Sequence, residues 1–217
     1  MTGSAGFDFS IGPFPVRVHW SFFLITVLIG LNMGNPILTV SWVLIVFISI
    51  LLHELGHAMV AESYGMVPSI MLYSMGGLTT PLRSKRLTHF QEIVLSLAGP
   101  FAGFALGGLV YIGMLLVPLT NGYAAAIVGQ LLWVNIGWGL LNLVPMLPLD
   151  GGHVMRNLWQ WLRKTYDESM PLKISIGVGV LAVLAALFYR QIFVAMMAAM
   201  FTYNNYTALR GGRTMMF

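Results

Sequence analysis

The fold turns on the stretch Ile37–Ala61, ILTVSWVLIVFISILLHELGHAMVA. It is apolar and uncharged as far as Leu52, and it exceeds the roughly 20 residues a helix needs to cross a bilayer. Beyond Leu52 it carries His53-Glu54-Leu55-Gly56-His57, an H-E-x-x-H motif. On a helix a four-residue step turns about 400° and rises about 6 Å, so both imidazoles face one point. Two neutral ring nitrogens can hold Zn²⁺, and Glu54, about 100° round the helix, can reach a water on the metal as general base. Ionisable groups at membrane depth cost several kcal/mol each and so mark function. The motif uses three of only five His and seven Asp or Glu in the chain. The competing reading makes His53 and His57 satisfied core histidines and pairs Glu54 with a base from another span. No Lys or Arg lies within any apolar run to serve as that partner.

Working outward, 58% of the 217 residues are hydrophobic and 8% are charged. That balance excludes a soluble globular protein and leaves room for about six spans and one compact unit over residues 1–217, with no separate soluble domain. The net charge of +4 comes from basic residues scattered through loops, not from a stripe or groove-reading helix, so nucleic acid is not expected as a partner. With no cysteine there is no disulfide framework, thiolate metal site or cysteine nucleophile; His and carboxylates remain as ligands. Arg17 alone precedes the first apolar run, so the pattern of a cleaved secretory signal is missing and the first span is expected to be retained.

Apolar runs occupy residues 20–33, 37–61, 93–118, 123–147, 174–189 and 192–203. Asn32 and Asn35 shorten the first, and only Arg190 and Gln191 separate the last two, which carry no motif and are the candidates for a mobile lid. Arg17; Arg83, Lys85 and Arg86; Arg156, Arg163, Lys164 and Lys173; and Arg210 and Arg213 fall in alternate connections. The positive-inside rule then predicts six helices with both termini cytoplasmic, Arg190 being the exception. Phe7–His19 reads as a short strand or turn, and residues 67–82, broken by Gly76-Gly77, as a small strand element between the second and third helices. The expected class is an all-α polytopic membrane protein with that one strand element. Val154, Leu158, Trp161 and Leu162 share a helical stripe, which predicts a helix lying at the interface. Gly99, Gly103 and Gly107, four apart, predict a groove for a close helix neighbour.

A third ligand must come from outside the motif helix turn, because Val60 and Ser63 stand where a longer zinc motif needs Gly and His. Glu62, Glu92, Asp150 and the remaining histidines are open. Asp150 is favoured, since it closes the run Asn142 to Gly152, NLVPMLPLDGG, whose prolines and glycines break a helix inside an apolar region. Such a break must face protein or water, and a buried metal site supplies that setting. The plain alternative is a helix-ending Asp-Gly turn at the membrane surface. Asn142 alone reads as interhelical glue. His153 is a possible neighbour of the ligands, while His19 and His89 flank spans as interface residues.

Together the H-E-L-G-H motif and the Asn142–Gly152 run make the sequence similar to the site-2 protease family of intramembrane zinc metalloproteases. The resemblance extends more loosely over residues 7–160 and suggests a minimal prokaryotic form without PDZ or CBS modules. It implies that His53, His57 and Asp150 bind one Zn²⁺, that Glu54 activates water and that Asn142 stabilises the oxyanion. It further implies cleavage within or near the membrane-spanning segments of single-span proteins in a prokaryotic plasma membrane. Anti-sigma factors or signal-peptide remnants are examples of such substrates. His53, nine residues before Glu62, puts the metal about 14 Å inside the cytoplasmic surface. A substrate helix must unwind there, and a strand added beside Gly76 and Gly77 could hold it extended. Two rival readings are a membrane metalloprotease acting on lipidated C-termini and a metal or proton carrier.

Overall fold

The computed structural model describes residues 6–83, 85–117 and 121–211. Pro118 of the third run, Arg213 among the loop charges and the two ends of the expected 1–217 domain lie outside the described residues. The described residues fall into two compact units, one from Met1–Arg86 and Ala98–Leu141, the other from Leu87–Leu97 and Asn142–Phe217.

In the first unit, β1 (Gly6–Ile11) and β2 (Phe14–His19) form an antiparallel hairpin. Gly12 turns it at φ 55°, a left-handed conformation that glycine takes without strain. Along β2 the side chains alternate, with Phe14, Val16 and Val18 buried and Pro15 and Arg17 outward. β2 pairs in parallel with β3 (Val67–Tyr73), and β3 pairs antiparallel with β4 (Gly76–Arg83), giving the order β1-β2-β3-β4. Residues 67–83 thus supply half of a four-stranded sheet, whose other half is the Phe7–His19 segment.

His19 caps α1 (Trp20–Leu31), its Nδ1 accepting from the Ser21 N–H at 3.2 Å. Asn35 caps α2 (Pro36–Ser63) by accepting from the N–H groups of Ile37 and Leu38. Pro36 sits in the first turn, where its missing N–H has no intrahelical partner to lose. Phe14, Val16, Val18, Phe22, Ile45, Ile50, Ile70 and Leu72 make one core from a single face of β2 and β3 and from α1 and α2.

The remaining helices are α3 (His89–Leu116), α4 (Gly122–Leu132), a π-helical turn (Trp133–Gly137) running into α5 (Trp138–Asn142), and then α6 (Asp150–Arg163), α7 (Ser169–Phe188) and α8 (Ile192–Leu209). The apolar run expected to reach Leu147 stops as helix at Asn142, because Pro145 and Pro148 follow. The interfacial helix expected from Val154 begins earlier, at Asp150, so Gly151 and Gly152 lie inside its first turn and do not break it. Among the described residues four segments are long and apolar enough to cross a membrane: Pro36–Ser63, His89–Leu116, Gly122–Asn142 and Ser169–Phe188. α1 is short at 12 residues, and the apolar run of α8 is interrupted by Thr202, Asn204 and Asn205.

Candidate metal centre

Ser49, His53 and His57 lie one turn apart on a single face of α2. The Nε2 atoms of His53 and His57 converge to 3.1 Å, with their rings nearly perpendicular. Two nitrogens bound to one tetrahedral zinc at the usual Zn–N distance stand about 3.3 Å apart, so the pair fits a shared ion. α3 leaves room for the two rings. A Cβ built on Gly99 would lie 2.6 Å from His53 Nε2 and closer still to His57 Nε2. Gly56, inside the motif, is what lets the two helices approach, since a Cβ there would stand 2.6 Å from the Ala98 carbonyl oxygen. The glycine repeat read as a packing groove therefore does two things: Gly103 and Gly107 receive Asn135 and Ile136, while Gly99 opens space at the imidazoles.

Glu54 is buried, 6% exposed. Its Oε2 accepts from the Thr79 hydroxyl at 2.6 Å, and that hydroxyl also stands 3.1 Å from the Glu54 backbone oxygen. Two residues back on β4, Gly77 packs directly on the Glu54 side chain, where a Cβ would meet its carboxyl carbon at 2.6 Å. Gly77 and Thr79 share a strand face, so the sheet edge both holds the carboxylate and makes room for it. Gly76 starts β4 at φ 124° with open space around it. One turn before His53, Ser49 receives a hydrogen bond from Asn135 Nδ2 at 2.9 Å. Asn135 sits in the π-helical turn, 2% exposed, and its Oδ1 has no hydrogen-bond partner among the described residues. Sequence reasoning did not reach Thr79, Ser49 or Asn135. Only Thr79 carried a signal, as the residue two along from Gly77 in a strand of period two.

In the second unit Asn142 ends α5 and Asp150 opens α6, both half-buried. A carboxylate in a first helical turn is favoured by the helix dipole. Gly151 and Gly152 let the preceding loop lie on that turn, because a Cβ on either would collide with the backbone of Leu143 or of Met146 and Leu147. His153 Nδ1 accepts from Arg156 at 3.2 Å. His89 Nδ1 stands 3.1 Å from Asn157 Oδ1, and the Asn157 amide donates to the His153 carbonyl. His89 is thus tied to α6, beyond the plain interface role expected of it.

Apolar helices long enough to span, with converging imidazoles and a buried glutamate between them in sequence, define a polytopic membrane metalloprotein of the H-E-x-x-H type. The model of peptidase family M50 matches residues 41–130 and 118–186. Zinc metalloprotease MJ0392 of Methanocaldococcus jannaschii is 33% identical over 79% of this chain and 49% of its own length. Putative zinc metalloprotease sll0528 of Synechocystis sp. is 35% identical over 76% of this chain and 47% of its own. Among solved structures, the site-2 protease from Methanocaldococcus jannaschii superposes with a TM-score of 0.68 at 27% identity, over 94% of this chain and 95% of that one. The chain belongs to peptidase family M50, has the site-2 protease fold and is a multi-pass membrane protein of a zinc metalloprotease family. It spans about half the length of the curated relatives it matches.

Proposed function

We propose that this protein is an intramembrane zinc endopeptidase whose ligands are His53, His57 and Asp150. The observation that carries the reading is the 3.1 Å approach of the two imidazole nitrogens against Gly99, whose missing side chain makes room for the rings, with Glu54 buried beside them in sequence. Zinc supplies Lewis acidity there, polarising a peptide carbonyl and making water acidic near neutral pH. Glu54 takes the proton from the attacking water and returns it to the leaving amine. The Thr79 hydroxyl fixes which way that carboxylate points. Asn142 donates its amide N–H to the oxygen on which negative charge develops. Gly76 and Gly77 hold an unwound substrate segment extended along β4.

Substrates are single-span membrane proteins, anti-sigma factors or signal-peptide remnants among them, cut within or near their spans. Six helices over one domain, residues 1–217, cross a prokaryotic plasma membrane with both termini cytoplasmic; α1 and α8 complete the count beyond the four long spans. The test is cleavage of single-span reporter proteins co-reconstituted in liposomes. Wild type is expected to cut at least one, and Glu54→Gln to cut none while keeping its metal. Cleavage that survives Glu54→Gln would contradict the assignment.

A further inference from the structure

The loop between α5 and α6 runs through the second unit without helical hydrogen bonds, and Pro145 and Pro148 have no N–H to offer. Short turns satisfy part of it: the Met146 N–H donates to the Val144 carbonyl at 2.7 Å, and that of Leu149 to the Met146 carbonyl at 2.9 Å. Leu147 is met from elsewhere on both sides. Its N–H donates to Ser175 Oγ on α7 at 3.1 Å, and its carbonyl accepts from Asn205 Nδ2 on α8 at 2.7 Å. Asn205 Nδ2 also donates to the Phe201 carbonyl at 2.8 Å, so both of its hydrogens are used.

Both side chains are buried, Ser175 fully and Asn205 to 5% exposure. One turn along α7, Gly179 has no side chain where α8 and the loop close in; a Cβ there would meet the Thr202 hydroxyl and, at 3.1 Å, Met146 Sδ. A backbone segment freed from its helix inside an apolar protein must find such partners. Here they converge on one residue, three before Asp150.

We infer that Ser175 and Asn205 are positioning residues for the metal ligand Asp150. They fix the Leu147 peptide groups, Gly152 seats that backbone on the first turn of α6, and the turn sets where the Asp150 carboxylate points. The last two helices, motif-free in sequence, are then the scaffold of the third ligand. This rests on the proposed reading that Asp150 binds zinc.

The test is zinc affinity, measured by competition against graded chelator in purified full-length protein. The variants are Ser175→Ala, Asn205→Leu, their combination, Asp150→Ala and Thr202→Val. Among the described residues Thr202 donates within α8, to the Ala198 carbonyl, so it controls for loss of a polar group in the same helix pair. Outer partners of metal ligands typically carry about 10–100-fold in affinity. The combined variant is expected to lose at least about tenfold, each single variant part of that, and Thr202→Val less than about twofold. If the combined variant does not fold, the two single variants carry the comparison. Wild-type affinity in the Ser175 and Asn205 variants, with zinc lost from Asp150→Ala, would overturn the inference alone. Zinc retained by Asp150→Ala would remove the ligand reading and the inference with it. An equal loss in Thr202→Val would reduce the two residues to helix packing and overturn the positioning role.

Discussion

Thr79 reaches Glu54 across 25 residues of sequence to place one hydroxyl 2.6 Å from a buried carboxylate oxygen. Removing it leaves a buried carboxyl oxygen short of a donor and free to turn. Thr79→Val is expected to lower kcat roughly tenfold or more, the scale on which a misplaced general base is felt, with zinc per chain unchanged. Steady-state cleavage alongside metal analysis checks this, and an unaltered kcat would show that the hydroxyl does not orient Glu54. Gly99 offers the opposite test. A methyl there would crowd both imidazole nitrogens, so Gly99→Ala should lose most of its zinc while the helices remain folded. At this scale the motif residues were legible because His53, Glu54 and His57 are neighbours on one helix turn, and helical periodicity alone brings them together. Thr79 was not, because its contact depends on where β4 lies against α2. Gly99 was legible as a close approach, but what approaches it is fixed only by the packing of α3 on α2.

The elements show where local chemistry and tertiary packing part ways. The break before Asp150 was legible in Pro145 and Pro148, because proline effects act within a few residues, whereas the Asn35 cap of α2 was not read. α6 was read from its apolar stripe, but the stripe members Leu158, Trp161 and Leu162 stay exposed while Asn157 and Gln160 are buried. Its start at Asp150 was hidden because glycines usually weaken a helix. Gly151 is tolerated in this turn, and required, because the Leu143 carbonyl lies where its side chain would be. Gly151→Ala should therefore destabilise by about 1–3 kcal/mol or more, read as a fall in thermal midpoint in detergent. An unchanged midpoint would mean that the loop shifts at no cost.

At the head of α7, the Asp167 carboxylate accepts from the side chain and then the backbone N–H of Ser169, which holds its pKa below the usual carboxylate value. A depressed folded pKa gives stability that is present above the unfolded value, near 3.9, and lost as pH falls through the folded one. Exposure keeps the effect small. Wild type and Asp167→Asn should differ slightly in thermal midpoint at pH 6 and converge at pH values below the folded pKa; a constant difference would contradict a role for the Asp167–Ser169 hydrogen bonds.

For the whole molecule, membrane character was legible from composition, since 8% charge in 217 residues allows no soluble alternative. The number of spans was less so. A helix such as α8 that buries Asn204 and Asn205 against protein has a hydropathy that no longer reports its surroundings. The absence of cysteine makes topology directly measurable. Single cysteines at Ser10, Tyr166 and Gly211 are expected to react with a membrane-impermeant thiol reagent from the same side, and a cysteine at Asn121 from the other. Labelling of the Ser10 and Gly211 positions from opposite sides would rule out an even number of spans.

The claim beneath all of this is a single three-ligand zinc site. It is tested most directly by the zinc content of purified wild type, Glu54→Gln, His57→Ala and Asp150→Ala. One zinc per chain in the first two and little in the last two is the expected result. A folded wild type without zinc, or zinc indifferent to Asp150, would contradict it.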